Sequence, residues 1–120
     1  MTGNEYQQAA LRTANVTKPE DLLLNGALGL CGESGEVADP VKKSRFQGHH
    51  LHYPHIAEEL GDVAWYLAVS AHAIGYTLDD ILKMNVEKLK ARYPDGFDSE
   101  RSIHRPEYEQ EVTMFGKRLA

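Results

Sequence analysis

Two acidic pairs, Glu33-x-x-Glu36 and Glu59-x-x-Asp62, carry the chemistry open to this 120-residue chain. Each lies in a segment that reads as helix, and residues three apart on a helix share a face, so each pair aims two carboxylates the same way. If the two helices pack together, four carboxylates converge. At an effective dielectric of about 20, two unit charges about 4 Å apart repel by ~4 kcal/mol. Such a cluster therefore calls for a counter-charge, and hard oxygen ligands favour Mg²⁺ or Mn²⁺.

A third element supplies charge of the other sign. Asn85, Lys88 and Arg92 recur at spacings of three and four, in the same helical arc as Leu78, Ile81, Leu82 and Leu89, whereas Asp79, Lys83, Glu87 and Lys90 fall elsewhere. A Lys and an Arg on an inward face either snorkel or meet anions. Carboxylates with a metal on two helices, and an amide with two cations on a third, make a cradle suited to a polyphosphate.

These groups need helices to hold them, and the chain offers four. Asn4 is expected to cap a first amphipathic helix from Glu5 to about Ala14, with Tyr6, Ala10 and Leu11 on its apolar face. Thr17-x-x-Glu20 has the form of a capping box for a second helix running toward Phe46. That helix contains Pro40, which predicts a kink or break. Gln47 to Pro54 reads as a loop. A third helix spans His55 to a glycine cap at Gly75, and a fourth starts at Thr77-Leu78-Asp79-Asp80 and stops at Pro94-Asp95-Gly96. On the third, Glu59, Asp62, Tyr66 and Ser70 border a stripe of Ile56, Leu60, Val63, Leu67 and Ile74, with Trp65 and Val69 opposite. A helix apolar nearly all round belongs at the centre or at a subunit interface. The expected architecture is all-α, a four-helix core in an oligomeric bundle: a domain over 1–97, then a polar tail over 98–120 with a short helix from about Pro106.

Composition bounds the rest. With 42% hydrophobic residues, 26% charged and a net charge of -5, the chain fits one compact domain and not a binder of nucleic-acid backbones. No apolar run approaches the ~18 to 20 residues of a membrane span, and the start is neither basic nor apolar, which predicts a cytoplasmic protein. Cys31 reads as a small buried hydrophobe. His49, His50, His52 and His55 match a zinc cluster by count alone; lying in a loop without cysteine partners, they read as surface or loop-packing residues.

Gly32-Glu33-Ser34-Gly35-Glu36-Val37-Ala38-Asp39, then Lys42-Lys43, Glu58-Glu59-Leu60-Gly61-Asp62-Val63, Asn85-Val86-Glu87-Lys88-Leu89 and Arg92-Tyr93-Pro94 together resemble the MazG-like nucleotide pyrophosphohydrolases, over about residues 5 to 97. The resemblance implies an all-α, oligomeric, Mg²⁺-dependent enzyme, dimer or tetramer, that converts a nucleoside triphosphate to the monophosphate and pyrophosphate. By the same comparison Glu33, Glu36, Glu59 and Asp62 match metal ligands, Lys88 and Arg92 match phosphate-contacting positions, and Asn85 matches a position near the nucleotide. The family's acidic signature usually begins with two adjacent glutamates. Here the first is Gly32, so one outer carboxylate is missing.

The mechanism expected on this reading has Lys88 and Arg92, with Lys42 or Lys43, neutralising phosphate charge. Glu36 or Glu59 orients or deprotonates a water for in-line attack at the α phosphorus. Trp65, Tyr66, Tyr93 and Phe97 are candidates to stack on a base. A carboxylate-bridged di-iron bundle is disfavoured, since neither acidic pair includes the Glu-x-x-His such sites use. A catalytically idle nucleotide-binding or assembly module is the other alternative, to which Gly32 lends weight.

Overall fold

The computed structural model describes residues 1–105, and these form helices and no strand. The chain divides into two compact units, Met1–Ile81 and Leu82–Ala120. The first contains α1 (Gly3–Leu11), α2 (Pro19–Phe46), α3 (Tyr53–Ala73) and the opening turn of α4 (Leu78–Arg92).

Helix ends follow from local hydrogen bonding, not always as the sequence predicted. Thr2, not Asn4, caps α1: its Oγ1 accepts the Glu5 N–H at 3.1 Å while the Glu5 carboxylate accepts the Thr2 N–H at 2.9 Å, a reciprocal capping box. Asn4 instead serves α4, its Oδ1 accepting the Asp79 N–H at 2.9 Å. The helix closes at Leu11, short of Ala14, where bonds from Thr13 N–H to the Ala10 carbonyl and from Ala14 N–H to the Leu11 carbonyl tighten the chain into i→i+3 turns. The box expected at Thr17 does not form. Lys18 is the cap residue of α2 without a side-chain bond, and Pro19, which has no N–H to satisfy, supplies the first helical position.

Pro40 does not break α2, whose 28 residues run through it. The proline removes only the donor that would meet the Glu36 carbonyl, and the turn beyond closes with Gln47 N–H on the Lys43 carbonyl at 2.9 Å. Pro54, expected in the loop, belongs to the first turn of α3 for the reason that admits Pro19. That helix ends in a double turn: Gly75 N–H bonds the His72 carbonyl and Tyr76 N–H reaches back to Ala71, with Gly75 at φ +85°. Thr77 caps α4 as expected, its Oγ1 accepting the Asp80 N–H at 3.1 Å.

The core of the first unit is small, formed by Ala10, Leu22, Ala68, Val69 and Leu78, with Tyr6, Leu11, Trp65 and Leu67 packed against it. Of the stripe expected inward on α3, Leu67 packs on this core, but the buried side centres on Val69, read as lying opposite. Val69 and Ala68 are fully buried, whereas Leu60 and Ile74 are about half exposed, at 53% and 52%. An all-round apolar helix gives no internal clue to its inward side; α1 and α2 select it. Gln7 locks the arrangement from the buried side, its Nε2 donating to the Ala68 and Tyr76 carbonyls and its Oε1 accepting the Leu78 N–H. Trp65 Nε1 donates to the Ala10 carbonyl and to Thr13 Oγ1.

Helices α2 and α3 run antiparallel, with Gly26 against Ser70 and Gly29 against Tyr66. A Cβ at Gly29 would enter the Tyr66 ring, whereas Gly32 and Gly35 face open space. Cys31, two residues from Gly29 and therefore on the opposite side of α2, is exposed, not buried as expected.

The described part of the second unit holds the remainder of α4, a turn with Gly96 at φ +94°, and α5 (Ser99–Ile103). Asp98 caps α5 by accepting the Glu100 N–H at 2.9 Å. This short helix lies in the segment read as tail; the helix expected from Pro106 falls outside the described residues. Leu82 and Leu89, read as an inward stripe, are exposed at 48% and 40%.

The glycines of α2 should separate on substitution. Gly29→Ala should lose about 1–3 kcal/mol by overpacking the crossing, while Gly32→Ala should gain up to about 1 kcal/mol of helix propensity. Urea unfolding of the two variants checks this, and equal shifts would show that the crossing does not need Gly29.

Candidate metal centre

The α2–α3 crossing brings three of the four sequence-selected carboxylates together. Glu33, from α2, and Glu59 and Asp62, from successive turns of α3, place one oxygen each within 4.8 Å of the others. Among the described residues this is the group of metal-ligand side chains that closes on one point. Glu36 stands apart and exposed, close enough to Lys43 for its charge to act there. The i,i+3 spacing puts Glu33 and Glu36 about 60° apart around the helix, and only Glu33 points along the line where α3 crosses.

The crowding of the trio raises the pKa of Glu33. A hydrogen bond with Glu59 is the main cause, followed by desolvation and by the charges of Glu59 and Asp62. Glu33 therefore holds its proton more readily than an ordinary glutamate. Because the folded state binds this proton more tightly than the unfolded chain, its stabilising effect is present below the ordinary glutamate pKa and is lost as pH rises through the elevated one. A divalent cation relieves the same repulsion at neutral pH, and three carboxylates are a donor set suited to Mg²⁺ or Mn²⁺.

Groups around the trio are unevenly engaged. His55 Nε2 lies 3.5 Å from Glu59 Oε1. Lys43 and Lys42 pair with Asp39 on their own helix, at 2.6 and 3.5 Å. Asp39 is held below the usual carboxylate pKa, chiefly by its hydrogen bond to Lys43, and Lys43 is raised chiefly by the same bond. Trp65 is tied to α1 by its indole N–H and meets Tyr66 edge to face at 5.0 Å, while Tyr66 covers Gly29. In the second unit Asn85 and Lys88 are exposed, Arg92 and Tyr93 are half-buried, and Tyr93 packs on Phe97 at 5.4 Å.

With this geometry established, comparison with known proteins gives one decisive match: the MazG nucleotide pyrophosphohydrolase domain aligns with residues 23–97. The chain belongs to the MazG family. Its MazG region includes α2 from Leu23, α3, α4 and the turn to Phe97, and so all three clustered carboxylates. A curated relative is the Gene 37 protein of Mycobacterium phage L5, 34% identical over 73 residues, which is 58% of this chain and 64% of that protein. No solved structure matches.

One neighbour of the MazG carboxylates escaped the sequence reading. Tyr6, read only as part of an apolar face, reaches from α1 to donate its hydroxyl to the Gly61 carbonyl at 3.4 Å. Burial raises its pKa first, and the charge of Asp62 second, which places the phenol in the field of the cluster. Periodicity marks Tyr6 as inward, but a contact 55 residues away has no local signal. Tyr6→Phe keeps the ring and removes the hydroxyl. Mn²⁺ affinity, read by electron paramagnetic resonance, should fall by roughly tenfold, as for loss of other groups that support metal ligands, with thermal stability little changed; unaltered affinity would limit Tyr6 to packing.

Proposed function

We propose that the protein is a divalent-metal-dependent nucleoside triphosphate pyrophosphohydrolase, adding water across the α–β phosphoanhydride to give a nucleoside monophosphate and pyrophosphate. The convergence of Glu33, Glu59 and Asp62 supports this most directly, in a chain of the MazG family. These three carboxylates would hold the metal, Mg²⁺ or Mn²⁺, which when bound supplies charge neutralisation at the phosphates and polarisation of a water.

The chain's own groups account for the remaining tasks. Glu59, flanked by His55, is our choice for the group that accepts a proton from the attacking water, ahead of Glu36, which stands outside the cluster. Asn85, Lys88 and Arg92 take the phosphates, on the strength of charge and helical spacing. Lys42 and Lys43 are the weaker assignment, because Asp39 already holds both. Trp65 is the weaker of the aromatic candidates, because its indole is committed to α1. The working form is a homo-oligomer, a dimer or tetramer. Leu24, Leu28 and Leu60, exposed at 59%, 66% and 53%, form apolar surface of the kind that subunit contacts cover. No helix among the described residues is long and apolar enough to cross a membrane.

Pyrophosphate release from a panel of triphosphates with Mg²⁺ tests the reading, and nucleotide binding without release would favour an idle binding module. Asp62→Asn should abolish metal-dependent turnover with the helical circular dichroism spectrum unchanged; retained turnover would remove Asp62 from the metal site. Lys88→Ala should weaken triphosphate binding by about tenfold, as expected for a charge-assisted contact of ~1.5 kcal/mol, and leave nucleoside binding nearly intact. Equal losses would contradict its phosphate role.

A further inference from the structure

The histidine-rich link between α2 and α3 borders an open cavity that the proposed hydrolysis has not used. Pro40, His50, His52, Pro54, His55 and Glu58 line about 430 Å³, and a neighbouring cavity of about 580 Å³ shares His50, His52 and Pro54 and adds Ser44 and Tyr53. The first cavity adjoins the metal centre, because His55 reaches Glu59 at 3.5 Å and Glu58 precedes that ligand in sequence.

The lining restricts what can enter. It contains no lysine or arginine, and Glu58 would repel a phosphate chain. Its imidazoles and carboxylate do not close on one point as the neighbouring trio does, so the lining offers no argument for a second metal centre. Imidazoles instead present flat faces on which an aromatic ring can lie, proline rings add apolar contact, and the imidazole edge donates or accepts a hydrogen bond. Glu58, when ionised, only accepts.

We propose that this cavity takes the base of the nucleotide whose phosphates engage the metal centre, and that Glu58 selects bases bearing an exocyclic amine. The assignment rests on the hydrolase reading for the position of the phosphates. An amino group, as on cytosine or adenine, donates to the carboxylate; the oxo group of uracil or hypoxanthine at the same ring position faces it acceptor to acceptor.

The pairs CTP with UTP and ATP with ITP each differ by that one exchange. The expected result is a preference of roughly tenfold in kcat/KM for the amino member of each pair, carried mainly by KM. Glu58→Gln should collapse both ratios toward unity, because an amide can donate as well as accept. His50→Ala with His52→Ala should raise KM for both members of each pair. Binding of CMP and UMP, followed by NMR titration, gives a readout that needs no turnover. If the protein hydrolyses no triphosphate yet binds CMP over UMP in a Glu58-dependent way, the pocket stands and the hydrolase reading falls. Hydrolysis with no amino preference, or a preference that Glu58→Gln leaves intact, overturns the pocket.

Discussion

The close crossing of α2 and α3 is the constraint on which the rest of the first unit depends. Gly26 and Gly29 offer no side chain where Ser70 and Tyr66 press in, so two helical backbones approach more closely than side chains at those positions would allow. One turn further along the same seam the partners are Glu33, Glu59 and Asp62. A glycine in a helix interior sacrifices up to about 1 kcal/mol of propensity, and like charges add their own repulsion. Apolar burial along the seam offsets the first cost. The second is eased where Glu33 holds its proton, and a cation would ease it further.

That seam is steadied from its far side by α1. Trp65 is fixed by two hydrogen bonds, to Ala10 of α1 and to Thr13 beyond it, and Gln7 ties α1 to the last turns of α3 and the start of α4. A buried amide with donor and acceptor both satisfied specifies one register, since any slip would leave polar atoms buried without partners. Helix α1 lies outside the matched MazG region, yet it sets the rotation of α3 and brings Tyr6 beside Asp62.

Sequence reasoning recovered most of the helices and three of the clustered carboxylates, but assigned inward faces poorly. Acidic pairs, glycine stops and the Thr77 cap are local signals, readable within a few residues. Which of four carboxylates converge depends on where α3 crosses α2, and this excluded Glu36 although its spacing is as regular as that of Asp62. The inward face of α3 was illegible for a related reason: Leu60 and Ile74 are more hydrophobic than Ala68 and Ala71, but the alanines are the ones buried, with α1 packed beside Ala68. Asn4 and Thr2 show the same limit at smaller scale. Both are good caps, and only the proximity of α4 decides that Asn4 serves Asp79.

The exposed leucines and the open glycines of α2 follow from this division of faces. A 28-residue helix presents a seam to α3 along one side, and its remaining surface must suit either solvent or another partner. Gly32 and Gly35 leave that surface bare on both sides of Glu33, while Leu24 and Leu28 make it apolar toward the N-terminus. The absent carboxylate at Gly32 then acquires a physical reading: it removes one like charge from a cluster that already strains to ionise. The remaining three acids meet less self-repulsion in its absence, and Gly32 faces open space.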